Sequence, residues 1–170
     1  MDNISAPDTQ KNNNRPPFII RLIATGLFSG YSPVIPGTAG TAVGLIIYAI
    51  PGFESIPNIF IFTCVFLILG IYTSSRMERY KGEDPACVVI DEIVGMWVSL
   101  IFIPKNILLA ILGFIIFRFF DIVKLQPALY VERYRKGIGI MLDDIVSAIY
   151  TNITIHLLIW IFPGLIDFKL

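Results

Sequence analysis

The sequence predicts an all-α fold, a multi-pass helical membrane bundle with short spans and a helical hairpin, and three observations carry that prediction. Of the 170 residues 55% are hydrophobic, with a mean hydropathy of +0.75, well above what soluble domains carry. No Asp, Glu, Lys or Arg falls between Arg21 and Glu54, between Glu54 and Arg76, or between Asp144 and Asp167, and a membrane span needs about 20 mainly apolar residues. Nothing repeats at a fixed period and no stretch alternates apolar and polar residues convincingly, so the elements are read as helices.

Residues 1–17 are polar, contain prolines and lack an apolar core. They are expected to form a disordered tail and not a cleavable signal, ahead of a single membrane-embedded domain over 18–170. Residues 18–29 read as an interfacial or partly inserted helix. The stretch "SGYSPVIPGTAGT" then breaks the first charge-free gap, because its prolines and glycines do not suit one continuous helix. A short span over 38–50 follows, and "PGFESIPN" turns the chain into a second span over 59–75. "RMERYKGEDPACVV" reads as a polar loop. Two short helices, 92–103 and 107–120, are joined at "PKN", where Pro104 is a natural breaker, and form the hairpin. A second polar loop over 124–144 leads to a last span over 145–162.

Counting spans alternately puts "SPVIPGT", the loop before Asp91 and the loop after Asp121 on one side. Arg76, Arg79, Lys81, Arg118, Lys124, Arg133, Arg135 and Lys136 share that side, against Lys105 and Lys169 on the other. The basic side is expected to be cytoplasmic. A formal net charge of zero argues against nucleic acid as a partner. Cys64, Cys87 and a single His156, with no CxxC, argue against a zinc site or a disulfide framework; His156, deep in the last apolar run, reads as structural.

A carboxylate at the bilayer centre costs roughly 2.5–3.5 kcal/mol on insertion scales. Asp91, Glu92, Asp121, Asp143 and Asp144 therefore belong at the surface or in a wet cleft. The hairpin returns its last residues to the end where it began, so Glu92 and Asp121 meet although 29 positions apart in "VIDEIVG…FFDIVK". Asp143 and Asp144 open the final span at the same end. Carboxylates converging without enough cation would repel one another, and a hard divalent ion with oxygen ligands relieves that; Mg²⁺ fits, taking carboxylates plus water and substrate phosphate. Asp91, Glu92, Asp121 and Asp144 are assigned as metal ligands. Asp143 is set apart because neighbouring helical residues point about 100° away from each other. The competing reading is that Asp91 and one of Asp143 and Asp144 only cap helices.

"FRFFDIVK" spaces Arg118, Asp121 and Lys124 by three, along one helical face. The two cations could hold a phosphate beside a metal ligand, or form an ion-pair ladder with snorkelling side chains. "PGT" offers the backbone N–H groups of Gly37 and Thr38 at the start of a span, an anion site or an ordinary turn with Thr38 as N-cap. Gly137 and Gly139 could admit a ligand or turn the chain. No Cys lies six positions before an Arg and no DxDxT occurs. One mid-span His cannot serve His-based lipid phosphatases, so metal–carboxylate chemistry remains.

Four segments, "SGYSPVIPGTAGTAVG", "EDPACVVIDEIVGMW", "FIIFRFFDIVKLQP" and "GIGIMLDDIVSA", follow the order and spacing of a known family: the chain resembles bacterial phosphatidylglycerophosphatase A. That resemblance implies a multi-pass inner-membrane, Mg²⁺-dependent lipid phosphatase of phosphatidylglycerol and cardiolipin biosynthesis. Its reaction would convert phosphatidylglycerophosphate to phosphatidylglycerol and inorganic phosphate. It also implies functional roles for Asp91, Glu92, Asp121, Asp143 and Asp144, with Arg118, Lys124 and the Pro36-Gly37-Thr38 turn around them. Leu125 in "KLQP" departs from the proline usual in the family. Attack by water or by a carboxylate such as Asp121 are both compatible with these residues. The alternative function is a cation-coupled transporter, which usually holds such charges near mid-membrane.

Overall fold

A computed structural model describes residues 15–124, 126 and 137–166. Of the expected tail over 1–17, residues 1–14 lie outside the described residues, as do Leu125 and the basic residues Arg133, Arg135, Lys136 and Lys169. Within them the chain forms α1 (Phe18–Ala24), α2 (Pro36–Ala49), α3 (Ile56–Lys81), α4 (Ile90–Ser99), α5 (Ile107–Val123) and α6 (Ile138–Ile161), with 3₁₀ turns at Ser29–Tyr31 and Pro163–Leu165. No strand occurs among the described residues. Two helices, α3 and α6, are long and apolar enough to cross a membrane, as the charge-free gaps predicted.

α4 is the hub. Eight of its ten residues are buried, and α2, α3, α5 and α6 all pack on it. Small residues make the approach possible, as in helix packing within membranes. A Cβ at Gly44 of α2 would lie 3.0 Å from the Ile93 carbonyl oxygen, and Trp97 Nε1 donates to the Gly44 carbonyl at 2.9 Å. On another face Gly95 seats the ring of Phe117, which closes the α4–α5 hairpin.

The helix boundaries differ from the sequence expectation in ways that matter for the site. α1 stops at Ala24, not at 29: Thr25 turns its hydroxyl back to Arg21 O at 2.7 Å, and Gly26, Leu27 and Phe28 take positive φ where the chain crosses α4. α3 runs on through Arg76–Lys81 instead of becoming a loop, because Met77 is fully buried and Gly82, at φ 96, ends the helix. α4 starts at Ile90 rather than 92, and α6 at Ile138 rather than 145. Met141 explains the latter, since it is buried and fills the space left by Gly70 of α3. Gly137, at φ 69, would place a Cβ 2.6 Å from Ser75 N, so it turns the chain against α3.

Polar caps close the end of the bundle opposite Asp91. Asn106 accepts from Leu108 N at 2.8 Å and Leu109 N at 3.4 Å, and its amide donates to Leu165 O and Ile166 O. Asn152 Nδ2 donates to Ser99 O at 3.1 Å and Ile101 O at 2.8 Å, closing the C-terminus of α4. Lys105 reaches Ala49 O, Ile50 O and Glu54.

Candidate active site

At the other end, four helix segments converge. α4 brings Asp91 and Glu92 in its first turn, α6 brings Asp143 and Asp144 in its second, α5 brings Arg118 and Asp121 near its C-terminus, and α2 opens with Pro36-Gly37-Thr38. Lys124, the C-cap of α5, adopts a left-handed φ of 46°. All nine candidate positions, Asp91, Glu92, Asp121, Asp143, Asp144, Arg118, Lys124, Gly37 and Thr38, line one cavity of about 420 Å³. Within this cavity Asp91 and Asp144 are largely buried, at 8% and 3% exposed.

The capping reading fails on geometry. The N-cap of α4 is Val89 and that of α6 is Gly137; Asp91, Asp143 and Asp144 all lie inside their helices. Thr38 is likewise not a cap, because α2 has Ile35 there and Pro36 at its first position. The first N–H groups of a helix have no intrahelical acceptor, and those of α2 belong to residues lining the cavity.

The ligand atoms of Asp91, Glu92 and Asp144 lie within 4.8 Å of one another. Asp91 Oδ1, Glu92 Oε2 and Asp144 Oδ2 are each buried without a hydrogen-bond partner, although buried polar atoms are normally satisfied. Three carboxylates so close repel one another strongly at low dielectric, and among the described residues the closer pairings of the neighbouring cations are outside the trio. Arg118 pairs with Asp121 and stands 3.8 Å from Glu92 Oε1, while Lys124 Nζ is 2.9 Å from Asp143 Oδ2. Asp121 lies beside Asp144 but is held by Arg118 and stands outside the group of three. The expected Arg118–Asp121–Lys124 row thus divides, with Lys124 turning to Asp143. An oxygen-rich trio of this kind, with buried unpartnered oxygens, fits a hard divalent metal.

Gly37 is where absence of a side chain matters: a Cβ there would come within 2.9 Å of Arg118 Nη2 and collide with Glu92. Sequence reasoning overlooked Thr41, one turn further along α2, whose hydroxyl accepts from Arg118 Nη1 at 3.5 Å. It overlooked Asp84, which lines the cavity with φ 43. It also overlooked the apolar rim, where Val34, Ile35 and Ile122 line the cavity and are 80%, 54% and 71% exposed. The four-residue spacing of Gly37 and Thr41 was the available signal for Thr41; the rim had none.

A family model described as phosphatidylglycerophosphatase A matches residues 22–159. A Bacteroides thetaiotaomicron protein provisionally named phosphatidylinositol-3-phosphatase is 36% identical over 155 residues, covering 86% of this chain and 98% of the relative. Proteins named phosphatidylglycerophosphatase A are 38% identical in Haemophilus influenzae (80% of this chain, 86% of the relative) and 32% identical in Escherichia coli (75% and 76%). No solved structure matches.

Proposed function

The chain belongs to the phosphatidylglycerophosphatase A family, and from that premise we propose that it is a Mg²⁺-dependent phosphatase hydrolysing phosphatidylglycerophosphate to phosphatidylglycerol and inorganic phosphate. The observation that carries the metal reading is the trio Asp91, Glu92 and Asp144, close enough to share one ion and each with a buried, unpartnered oxygen. These three would hold the cation. When bound, Mg²⁺ supplies stabilisation of charge on the phosphoryl oxygens.

The remaining roles fall to the chain's own groups. Arg118 offers a planar fork that can bond two phosphate oxygens at once, and Asp121 and Glu92 orient it. The backbone N–H groups of Gly37 and Thr38, at the N-terminus of a 14-residue helix, favour a phosphate in front of them. Lys124 exchanges Asp143 for substrate phosphate, moving a positive charge inward by a side-chain rotation. The exposed rim of Val34, Ile35 and Ile122 at a polar cavity supports a substrate that is phosphate at one end and hydrocarbon at the other. We place the enzyme in the bacterial inner membrane with several spans and the cavity toward the cytoplasm, in phosphatidylglycerol and cardiolipin synthesis. The distribution of basic residues supports that orientation. Impermeant labelling of single cysteines at Thr38 and Glu83 in intact cells tests it, and reaction from outside would reverse the topology.

A second substrate has one specific observation behind it: the Bacteroides thetaiotaomicron relative, covered over 98% of its length, bears a phosphatidylinositol-3-phosphatase name. The transport alternative is not favoured by the family. Purified protein should release phosphate from phosphatidylglycerophosphate with Mg²⁺ and stop on chelation, and Mg²⁺ alone should raise its unfolding temperature by binding the folded state. Release only from phosphatidylinositol 3-phosphate would move the reading to the second substrate. No release from any lipid phosphate would overturn both.

A further inference from the structure

Among the described residues Arg118 is the one guanidinium lining the cavity, and how it is held decides what its fork can grip. Its carboxylate neighbours are unequal: Asp121 pairs closely with Nη1, and Glu92 is 3.8 Å away. Two positions of α2 complete the surroundings. Gly37 leaves open the space that a Cβ would fill 2.9 Å from Nη2 and 3.1 Å from Nη1. Thr41, fully buried, stands one turn on along the same face. Its hydroxyl sits 3.0 Å from the Gly37 carbonyl oxygen, to which it donates, and 3.5 Å from Arg118 Nη1. With its hydrogen committed to Gly37, the hydroxyl oxygen can only accept toward the guanidinium.

We propose that Thr41 is a positioning residue that, with the open space at Gly37, forms a neutral seat for Arg118 and aims its fork at the substrate's phosphate. The chemistry favours an uncharged seat. A third carboxylate there would neutralise the cation further and weaken its hold on an anion, whereas a hydroxyl fixes direction without removing charge. A contact of 3.5 Å is long for a hydrogen bond, and contacts of this kind shorten when substrate arrives. The inference rests on the phosphate-binding role given to Arg118 under the proposed function.

Thr41→Val keeps the branched shape and removes the acceptor. The dissociation constant of inorganic phosphate, measured calorimetrically with Mg²⁺ present, should rise about tenfold, and kcat/KM on the lipid phosphate should fall by a similar factor. Thr41→Ser should restore both. In an Arg118→Ala background Thr41→Val should add nothing, since coupled residues do not add. If Thr41→Val does not fold, Thr41→Ala runs the same cycle. Unchanged phosphate binding in Thr41→Val, or an equal loss with and without Arg118, overturns the seat. A wild-type protein that binds phosphate in this Thr41-dependent way yet hydrolyses no lipid would leave the seat standing and sink the phosphatase reading.

Discussion

The two ends of the helical bundle spend their polar groups in opposite ways. At the far end, Asn152, Asn106 and Lys105 each close a helix terminus, so that carbonyls and N–H groups left over by the helices find partners. At the cavity end α2, α4 and α6 all begin without a side-chain cap, and three buried carboxylate oxygens and Arg118 Nε have none either. Satisfied polar groups rigidify a bundle. Unsatisfied ones are retained where something else has to bind. On the proposed function, the difference gives stability to one end and chemistry to the other.

That division can be broken most severely at the cavity. Asp91→Asn, Glu92→Gln or Asp144→Asn should lower phosphate release by on the order of 100- to 1000-fold, the scale of losing one charge-stabilising group. The same variants should unfold at an unchanged or higher temperature, because each removes a repelling charge from a crowded site. A large loss of stability alongside activity would mean that the carboxylates are structural.

Asn152→Ala should do the reverse. It strips the donor from Ser99 O and Ile101 O, so thermal unfolding should report a loss of about 1–3 kcal/mol, the cost of buried groups left unpaired. Turnover per folded molecule should be nearly unchanged at a temperature where the variant remains folded. Lost turnover without lost stability would erase the distinction between the ends.

The smallest effect is expected at the exposed pair Lys105–Glu54. The hydrogen bond from Lys105 is the main cause holding the Glu54 carboxyl below its usual range. With a folded-state pKa below the unfolded one, its contribution is present above the unfolded pKa and lost as pH falls through the folded value. Glu54→Gln should therefore lower the unfolding temperature slightly near neutrality and not at all in acid below that folded pKa. A deficit that persists in acid would mean the pair acts by packing instead of charge.

Much of this was legible in the chain itself, for physical reasons. Charge-free runs located α3 and α6, and the hairpin geometry of α4 and α5 predicted that Glu92 and Asp121 share one end, where the structure puts both beside Arg118. Helix starts were harder to read. Aspartates at 91, 143 and 144 resemble N-terminal signals, yet Ile90 and Met141 are buried and draw the helices back past them. Arg76–Lys81 read as loop by polarity, whereas one buried Met77 keeps that segment helical. Asn152 drew no sequence reading, because its role depends on where α4 ends, which no local pattern states. Thr41 depends on Arg118, 77 positions away.

α2 has 14 residues and α3 has 26, rises of about 21 and 39 Å at 1.5 Å per residue. A lipid bilayer about 30 Å thick in its hydrocarbon meets walls of unequal height around such a body. With the chain embedded as proposed, hydrophobic mismatch would draw the leaflet inward beside α2, the helix whose first turn lines the cavity. On the proposed function, thinned lipid would bring headgroups down to the carboxylates, and the host membrane's thickness would become a term in the rate of phosphate release. Reconstitution in a series of lipids with lengthening acyl chains measures that term: turnover at fixed substrate density should fall as the bilayer thickens, and a flat response would show that the protein reaches its substrate without help from the membrane.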